Sequence, residues 1–256
     1  MTLKVSLKPC LQRNRLRPIK SAMAGVNPDL QALYPFLKAD PQNTFARDQS
    51  LDPALVESVA QKVQSSIDAK HAFFAQNTQQ VVQVARAIAG VYQQSGRLFT
   101  MGNGGSSCDA AHIAVEFLHP VTTGRPALAA VNLVADVAAL SAVANDVGYS
   151  HVFSRQLIAL ARKGDALIGI STSGNSQNLL AAFATARELG LVTIGLCGAD
   201  GGLMAQSAKL DHCIVVPSDS IHRIQETHVL IYHILWDLVH TLLADQRGGL
   251  HEVAKP

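Results

Sequence analysis

The stretch Ala166-Leu-Ile-Gly-Ile-Ser-Thr-Ser-Gly-Asn-Ser176 joins a short apolar run to a turn built of hydroxyl and glycine residues. The apolar half, residues 166–170, has the length and composition of a buried strand. The second half, residues 171–176, leads into a stretch with helical spacing. In an open parallel sheet, ligands bind where the carboxyl ends of strands meet the amino ends of helices. This stretch therefore predicts a parallel sheet with a binding site at its edge.

The same strand–loop–helix rhythm recurs on both sides of that stretch. Other short apolar runs lie at 98–101, 128–133, 191–197 and 212–216. Helical spacing is found near 106–118, 135–144, 151–162, 176–189 and 222–245. Strands that are apolar throughout and alternate with helices are typical of a parallel sheet covered on both faces. We therefore predict a single α/β domain with a five-stranded parallel sheet flanked by helices.

The amino-terminal part of the chain follows a different pattern. Residues 1–50 are irregular and contain five prolines, whereas helical spacing begins directly after them. Two helices are predicted there, at about 53–70 and 72–95, and together they would form an N-terminal helical arm. The predicted organisation is an irregular basic leader (1–50), the α/β domain (53–245) and a tail (246–256).

The charge of the chain is unevenly distributed. Residues 1–25 carry six basic residues and no acidic residue, so the formal net charge of +2 leaves −4 for the remaining 231 residues. A mildly acidic body argues against a nucleic-acid-binding surface spread over the fold, since such surfaces need clustered Lys and Arg. We expect the leader to be disordered. Contact with nucleic acid or membrane, an organellar transit peptide and a misassigned start are the alternatives.

Composition and cysteine spacing predict a soluble cytoplasmic protein. The 256 residues are 48% hydrophobic, enough for one sizeable core, yet no run reaches the ~18 apolar residues of a membrane span. The four cysteines stand far apart and form no C-x-x-C pair, so reduced thiols are the default. We therefore expect no membrane partner.

A second turn rich in small residues follows the apolar run at 98–101. It reads Gly102-Asn103-Gly104-Gly105-Ser106-Ser107 and, like residues 171–176, precedes a helix. Backbone N–H groups at a helix start attract anions, and hydroxyl groups add donors without bulk. Neither turn matches the G-x-x-x-x-G-K-[ST] or G-x-G-x-x-G nucleotide motif, so a single phosphate suits them better than a nucleoside triphosphate. The alternative is that both are ordinary tight turns whose hydroxyl groups cap helices.

Two pairs of side chains could bind a metal ion. His112 and Glu116 are four residues apart and therefore lie on one face of a helix, and both residue types bind zinc. Gln225 and His233 lie on the last helix, where eight residues span about 12 Å. That is a long reach for one ion, so either the two side chains lean together or neighbouring subunits complete the site. A surface hydrogen bond for the first pair and a core position for His233 are the alternatives.

Several further motifs accompany these turns and pairs. They are Cys108-Asp109-Ala110, Asn145-Asp146, Asp200-Gly201-Gly202 and Arg223-Ile224-Gln225-Glu226. Together with the two turns they closely resemble the sugar isomerase (SIS) domain and, within it, the phosphoheptose isomerases. The resemblance covers about residues 53–245. It implies an enzyme that converts sedoheptulose 7-phosphate into D-glycero-D-manno-heptose 7-phosphate through an enediol, and a homotetramer with sites at subunit interfaces.

By this resemblance, the family's site residues fall on matching positions of this chain. A zinc ion would be bound by His112, Glu116, Gln225 and His233. Glu116 would be the catalytic base and His233 its acid/base partner. The substrate would contact Glu116 and Gln225 and also residues of the loops, namely Asn103, Gly104, Gly105, Asn145, Asp146, Ser171, Thr172, Ser173 and Ser176.

The chain departs from the family's pattern at two places near the expected pocket. Phe117-Leu118-His119-Pro120 replaces a basic Thr-Gly-Arg-type segment, and His222 replaces an Asp before the Arg-Ile-Gln-Glu motif. These departures leave the exact keto-sugar phosphate open. The non-enzymatic alternative is a relative, the DnaA initiator-associating protein, which binds the replication initiator as a tetramer. That relative lacks residues matching Glu116 and His233, so their presence here favours the enzyme.

Overall fold

A computed structural model of the chain describes residues 52–121 and 124–245. The chain divides into two units, Met1–Leu55 and Val56–Pro256, and the sheet belongs to the second. The predicted leader and tail lie outside the described residues. None of the described helices combines the length and apolar character that a membrane crossing needs.

Five parallel strands form one sheet in the order β2-β1-β3-β4-β5. Their bounds are β1 (Leu98–Gly102), β2 (Ala130–Asn132), β3 (Ala166–Ser171), β4 (Val192–Gly198) and β5 (His212–Val216). Every neighbouring pair is parallel, so the predicted five-stranded parallel sheet is confirmed. β1 pairs with β3 along its whole length, with Met101 beside Gly169. The turns that follow these two strands therefore lie next to each other at the carboxyl edge of the sheet.

The described part of the chain also contains seven α-helices and one 3-10 helix (Tyr149–His151). The α-helices are α1 (Asp52–Gln93), α2 (Gly105–Leu118), α3 (Val137–Asp146), α4 (Ser154–Leu160), α5 (Gln177–Leu189), α6 (Gly202–Ala205) and α7 (Ile221–Asp245). The five helices predicted after β1 are all found, and α6 is an additional helix of four residues. The predicted α/β architecture is confirmed.

The prediction of two helices before the sheet is wrong, because α1 is a single helix of 42 residues. No glycine or proline stands near residue 71, where the break was expected, so nothing interrupts the backbone hydrogen bonds there. Burial changes at that point instead. Every buried residue of α1 lies from Phe73 onward, whereas Val56, Val59 and Val63 are more than half exposed. Only the first half of α1 is thus an exposed arm, whereas the second half of the predicted arm packs on the domain.

Apolar side chains cover both faces of the sheet. Leu98 and Ile168 belong to the cluster beneath α1, α2 and α7, whereas their neighbours Phe99 and Leu167 belong to the cluster beneath α4 and α5. Successive side chains of a strand point to opposite faces, so each strand contributes to both clusters. Burial on both faces explains why these strands are apolar throughout.

His228 of α7 is buried against β4. Its Nε2–H donates a hydrogen bond of 3.0 Å to the backbone carbonyl of Cys197, which can only accept. Nδ1 therefore carries no proton, and it has no hydrogen-bond partner within the described residues. Burial lowers the pKa of His228 to about 4, although the hydrogen bond to Cys197 opposes that shift.

The buried His228 makes the free energy of unfolding depend on pH. The unfolded chain binds a proton there near pH 6.5, whereas the folded chain binds it only near pH 4. Between these values the unfolded state holds more protons, so stability should fall by about 3 kcal/mol as the pH drops from 6.5 to 4. His228→Gln keeps a donor for Cys197 and should flatten this part of the curve, measured by urea unfolding at fixed protein concentration.

The matched control for this prediction is His222→Gln. His222 is exposed, so its replacement should leave the pH dependence of unfolding as in the parent chain. If His228→Gln also keeps the parent's slope between pH 4 and 6.5, the pH dependence does not come from His228.

Candidate active site

Two helices begin without a side-chain cap directly after the central strands. α2 follows β1 and α5 follows β3, and neither Gly104 nor Ser176 caps its helix with a side chain. By contrast, Asp136 accepts a hydrogen bond from the backbone N–H of Ala139 at the start of α3. The alternative that the hydroxyl of Ser176 merely caps a helix is therefore wrong. In the described part of the chain the N–H groups of Gln177 and Asn178, the first two residues of α5, have no acceptor and remain available to an anion.

The turn at residues 171–176, the β3 turn, gathers hydroxyl groups at the start of α5. Ser171 is buried at the end of β3, and its Oγ lies 2.9 Å from Oγ of Ser176. Thr172 is half-buried and Ser173 is exposed, so hydroxyl groups extend from the inner end of the turn to its surface. With helix N–H groups beside them, these donors suit a single phosphate group.

Backbone contacts hold the β3 turn against the end of β4 and against the loop and short helix α6 that follow it. The N–H of Met204 donates to the carbonyl of Gly174 over 2.9 Å, and the N–H of Gly198 donates to the carbonyl of Thr172 over 3.1 Å. Gly174 has a φ of +66°, and a Cβ atom there would lie 2.0 Å from the carbonyl oxygen of Gly201. Only glycine fits such an approach. The shape of the β3 turn therefore depends on this loop.

The side chain of Asn103 joins the turn at residues 102–107, the β1 turn, to α5. It forms two reciprocal hydrogen bonds of 2.9 Å with the buried side chain of Asn178. The hydroxyl of Tyr149, in the 3-10 helix, donates a third bond of 2.9 Å to Oδ1 of Asn103. Gly104 and Gly105, the other predicted substrate contacts of this turn, are exposed. The β1 turn is thus connected to the first turn of α5, the helix that directly follows the β3 turn.

Asn145 and Asp146 lie at the carboxyl end of α3, where both are exposed. Nδ2 of Asn145 donates to Oδ1 of Asp146 over 2.7 Å. The 3-10 helix follows directly, and Tyr149 of that helix contacts Asn103. These two predicted contacts therefore lie just before a residue that touches the β1 turn.

His112, Glu116 and His233 lie together where α2 passes α7. One ligand atom from each side chain lies within 4.8 Å of the others. Nε2 of His112 is 3.2 Å from Oε1 of Glu116, and the rings of His112 and His233 lie 5.0 Å apart at 81°. The four-residue spacing thus gives a direct contact, and the packing of the two helices adds His233. Neither a lone surface pair nor a core histidine describes this group.

Tyr232 and Trp236 hold this group from α7. The hydroxyl of Tyr232 lies 2.8 Å from Nδ1 of His112, and Nε1 of Trp236 donates to the backbone carbonyl of Glu116 over 2.8 Å. Burial raises the pKa of the Tyr232 hydroxyl, and the carboxyl groups of Asp109 and Glu116 raise it further. The hydroxyl therefore stays protonated, and its oxygen can accept a hydrogen bond from Nδ1–H while Nε2 of His112 binds another group.

The three side chains fit a divalent cation. Imidazole nitrogen and carboxylate oxygen are common zinc ligands, and catalytic zinc sites keep a fourth position for water or substrate. The bond between His112 and Tyr232 is the kind of outer contact that orients a metal-bound imidazole. Gln225, the fourth predicted ligand, packs its Nε2 against Gly105 at the first turn of α2. Eight residues of α7 separate it from His233, so its role as a ligand stays a prediction.

Sequence reasoning missed several residues of this site. Tyr149, Asn178 and Tyr232 belong to no motif, and their partners lie 46, 75 and 120 positions away in the chain. Of these, only Tyr232 could have been identified from the sequence, because it follows Gln225 by seven residues and so lies on the same face of α7. Asp109 belongs to the Cys108-Asp109-Ala110 motif, which predicts no role for its side chain. Its carboxyl group is buried next to His112, and burial raises its pKa to about 6, although His112 lowers it.

The positions that depart from the family's pattern lie after the end of α2 and in the first turn of α7, the two helices that carry His112, Glu116 and His233. Pro120 follows the end of α2, in a segment without lysine or arginine. A basic side chain reaches this end of the site from further along the chain: the guanidinium of Arg125 lies 4.3 Å from the Trp236 ring and pairs with Asp237. His222 is exposed in the first turn of α7. The charge of these two segments thus differs from the family's pattern, while His112, Glu116 and His233 are still brought together on α2 and α7.

Comparison with known proteins places this geometry in a family. Residues 62–198 match the family model described as SIS domain. The chain is 46% identical over 179 residues to a phosphoheptose isomerase of Aneurinibacillus thermoaerophilus, which covers 69% of this chain and 89% of the relative. It is also 48% identical over 147 residues to a phosphoheptose isomerase of Helicobacter pylori strain P12. The aligned region is 57% of this chain and 76% of the relative.

Solved structures agree with these relatives. The phosphoheptose isomerase of Neisseria gonorrhoeae matches with a TM-score of 0.68 at 40% identity, over 73% of this chain and 99% of that chain. The phosphoheptose isomerase of Francisella tularensis matches with a TM-score of 0.69 at 34% identity, over 73% and 98%. The chain therefore belongs to the SIS-domain family and, within it, to the phosphoheptose isomerases, which are sugar-phosphate isomerases.

Proposed function

We propose that this chain converts sedoheptulose 7-phosphate into D-glycero-D-manno-heptose 7-phosphate. The observation that carries the proposal is that His112 and Glu116, on the helix that begins at the β1 turn, meet His233 of α7. A base, a second proton-transfer group and a nearby anion site are what an aldose–ketose isomerase of a sugar phosphate needs. An isomerase of another keto-sugar phosphate is the alternative, since Pro120 and His222 depart from the family's pattern.

The chain's own groups can perform the proton transfers. Glu116 would remove the proton next to the carbonyl of the open-chain ketose and return it to the neighbouring carbon. His233 would pass a proton between the two adjacent oxygens, because an imidazole can both accept and donate. A zinc ion bound by His112, Glu116, His233 and Gln225 would act as a Lewis acid that stabilises negative charge on those oxygens.

The phosphate group would bind at the β3 turn, remote from the reacting carbons. Ser171, Thr172, Ser173 and Ser176 would donate their hydroxyl groups, together with the first N–H groups of α5. Binding energy gained there would position the carbonyl against Glu116. Contacts with the carbon chain of the sugar would come from Asn103, Gly104, Gly105, Asn145 and Asp146.

Metal removal tests the proposed cofactor. Purified protein should contain zinc at about one ion per chain. Dialysis against a chelator should abolish turnover, and added zinc should restore it. His112→Ala should lose the metal, since it removes one of the clustered ligands. His119→Ala, at an exposed histidine just after α2, should keep both metal and turnover.

Product analysis tests the reaction itself. Incubation with sedoheptulose 7-phosphate should yield an aldose phosphate of the same mass, separable by anion-exchange chromatography. If the protein converts only a different ketose phosphate, it is an isomerase but its substrate is not sedoheptulose 7-phosphate. No bound metal and no conversion would contradict the proposal and favour the interaction protein that binds the replication initiator.

We also propose a cytoplasmic homotetramer in which Gln225 of one subunit completes the metal site of another. The arm of α1 supports assembly, because apolar side chains three or four residues apart remain 42–69% exposed on it: Val56, Val59, Val63 and Ile67. Such a stripe is typical of a helix that packs against another helix. The free thiols of Cys108, Cys197 and Cys213 support the location.

A further inference from the structure

Tyr149 contacts the candidate site, although it belongs to none of the motifs found in the sequence. It is more than half exposed, yet its hydroxyl lies 2.9 Å from Oδ1 of Asn103. The same Oδ1 accepts a bond from Nδ2 of Asn178, and Nδ2 of Asn103 donates to Oδ1 of Asn178. Three hydrogen bonds therefore hold one carboxamide, in a turn where the neighbouring Gly104 and Gly105 offer no side chain to support it.

One backbone group indicates the direction of the bonds in this network. The N–H of Leu179 can only donate, and it is shared between the carbonyl of Ser176 and Oδ1 of Asn178, each 3.1 Å away. Since Oδ1 of Asn178 is the acceptor, Nδ2 of Asn103 must face it, and Oδ1 of Asn103 must face Nδ2 of Asn178. The hydroxyl of Tyr149 can then only donate to Asn103. One N–H of Asn103 remains, without a hydrogen-bond partner among residues 52–121 and 124–245.

We propose that Tyr149 is a positioning residue of the sugar-phosphate site. It holds the carboxamide of Asn103 so that the remaining N–H donates to an oxygen of the bound sugar phosphate. The inference rests on the proposed function, in which Asn103 contacts the substrate. A side chain that is already ordered loses less conformational freedom on binding, so the contribution of Tyr149 belongs to affinity more than to the chemical step.

Tyr149→Phe removes the hydroxyl and keeps the ring. The loss of one neutral hydrogen bond should lower kcat/KM for sedoheptulose 7-phosphate by about 3- to 10-fold, mostly through a higher KM. In an Asn103→Ala background the same substitution should change kcat/KM by less than about 2-fold, because the residue through which it acts is absent. The control is Tyr92→Phe. Its hydroxyl bonds the carbonyl of Ala129 before β2, at the opposite end of the sheet, so kcat/KM should not change.

The double-mutant cycle can overturn the proposal. If Tyr149→Phe has the same effect with Asn103 present and absent, its hydroxyl acts on the substrate or the fold and not through Asn103. A purely structural role would also give equal effects in both backgrounds, together with a lower thermal midpoint.

A measurement without substrate separates this inference from the proposed function. In crystals of the ligand-free protein, the side chain of Asn103 should occupy one conformation in the parent and in Tyr92→Phe, and more than one in Tyr149→Phe. If the parent does not convert sedoheptulose 7-phosphate, the proposed reaction is wrong, and the crystals still decide the role of Tyr149. A single, unshifted Asn103 conformation in Tyr149→Phe would overturn it.

Discussion

Glu116→Gln is expected to lower kcat by about 10²- to 10⁴-fold, the range that a positioned general base contributes. Glutamine has nearly the shape of glutamate, so the contact of 3.2 Å with Nε2 of His112 can survive while the proton acceptor is lost. The backbone carbonyl of residue 116 keeps its bond from Trp236, so the helix should keep its place. Turnover with saturating sugar phosphate and zinc measures the effect.

The control for this substitution is Glu188→Gln, the same change at an exposed position of α5. It should leave kcat unchanged, and both variants should melt within about 2 °C of the parent. Metal content is measured alongside, because Glu116 is also a predicted ligand. A kcat that recovers fully at high zinc would assign Glu116 to metal binding alone. Retention of both metal and more than about a tenth of kcat would place the base elsewhere, with His233 as the first candidate.

The sheet could be predicted because both faces of its strands are buried. Leu98 and Phe99 are adjacent in the chain, and each is fully buried in a different apolar cluster. Such strands read as continuous apolar runs, and turn residues separate them clearly. α1 could not be predicted as one helix in this way, because its burial changes at Phe73. The spacing of apolar residues indicates which part of a helix is buried. It does not indicate whether the backbone hydrogen bonds continue, so one helix with two degrees of burial was predicted as two helices.

The candidate site could be predicted in pieces but not as an arrangement. Four-residue spacing brings His112 and Glu116 together in any helix. His233 joins them because α2 and α7 run in the same direction: Gly105 lies beside Gln225, and His112 lies beside His233 two turns farther along. Both helices rise about 1.5 Å per residue, so this alignment also keeps Gln225 away from His233 within one chain. Spacing within one helix cannot show how two helices are aligned.

Gly174→Ala is expected to raise KM for the sugar phosphate by about 10²-fold and to destabilise the folded chain. The added methyl carbon would lie 2.0 Å from the carbonyl oxygen and 2.6 Å from the carbonyl carbon of Gly201. Both are backbone atoms, so no side-chain rotation can relieve the overlap. The β3 turn and the loop after β4 would have to separate by roughly 1 Å or more, and a misplacement of that size is enough to weaken a binding site about 100-fold.

Gly164→Ala separates this steric effect from the cost of a left-handed backbone. Gly164 also has a positive φ, +92°, but a Cβ atom there meets nothing within 4 Å, and the residue precedes β3 at the end opposite the turn. Its replacement should cost about 1–2 kcal/mol in urea unfolding and leave KM unchanged. Calorimetric titration with sedoheptulose 7-phosphate should show that only Gly174→Ala loses affinity. Equal affinity in both variants would mean that the backbone held by Gly201 does not position Ser171 and Ser176 for the phosphate.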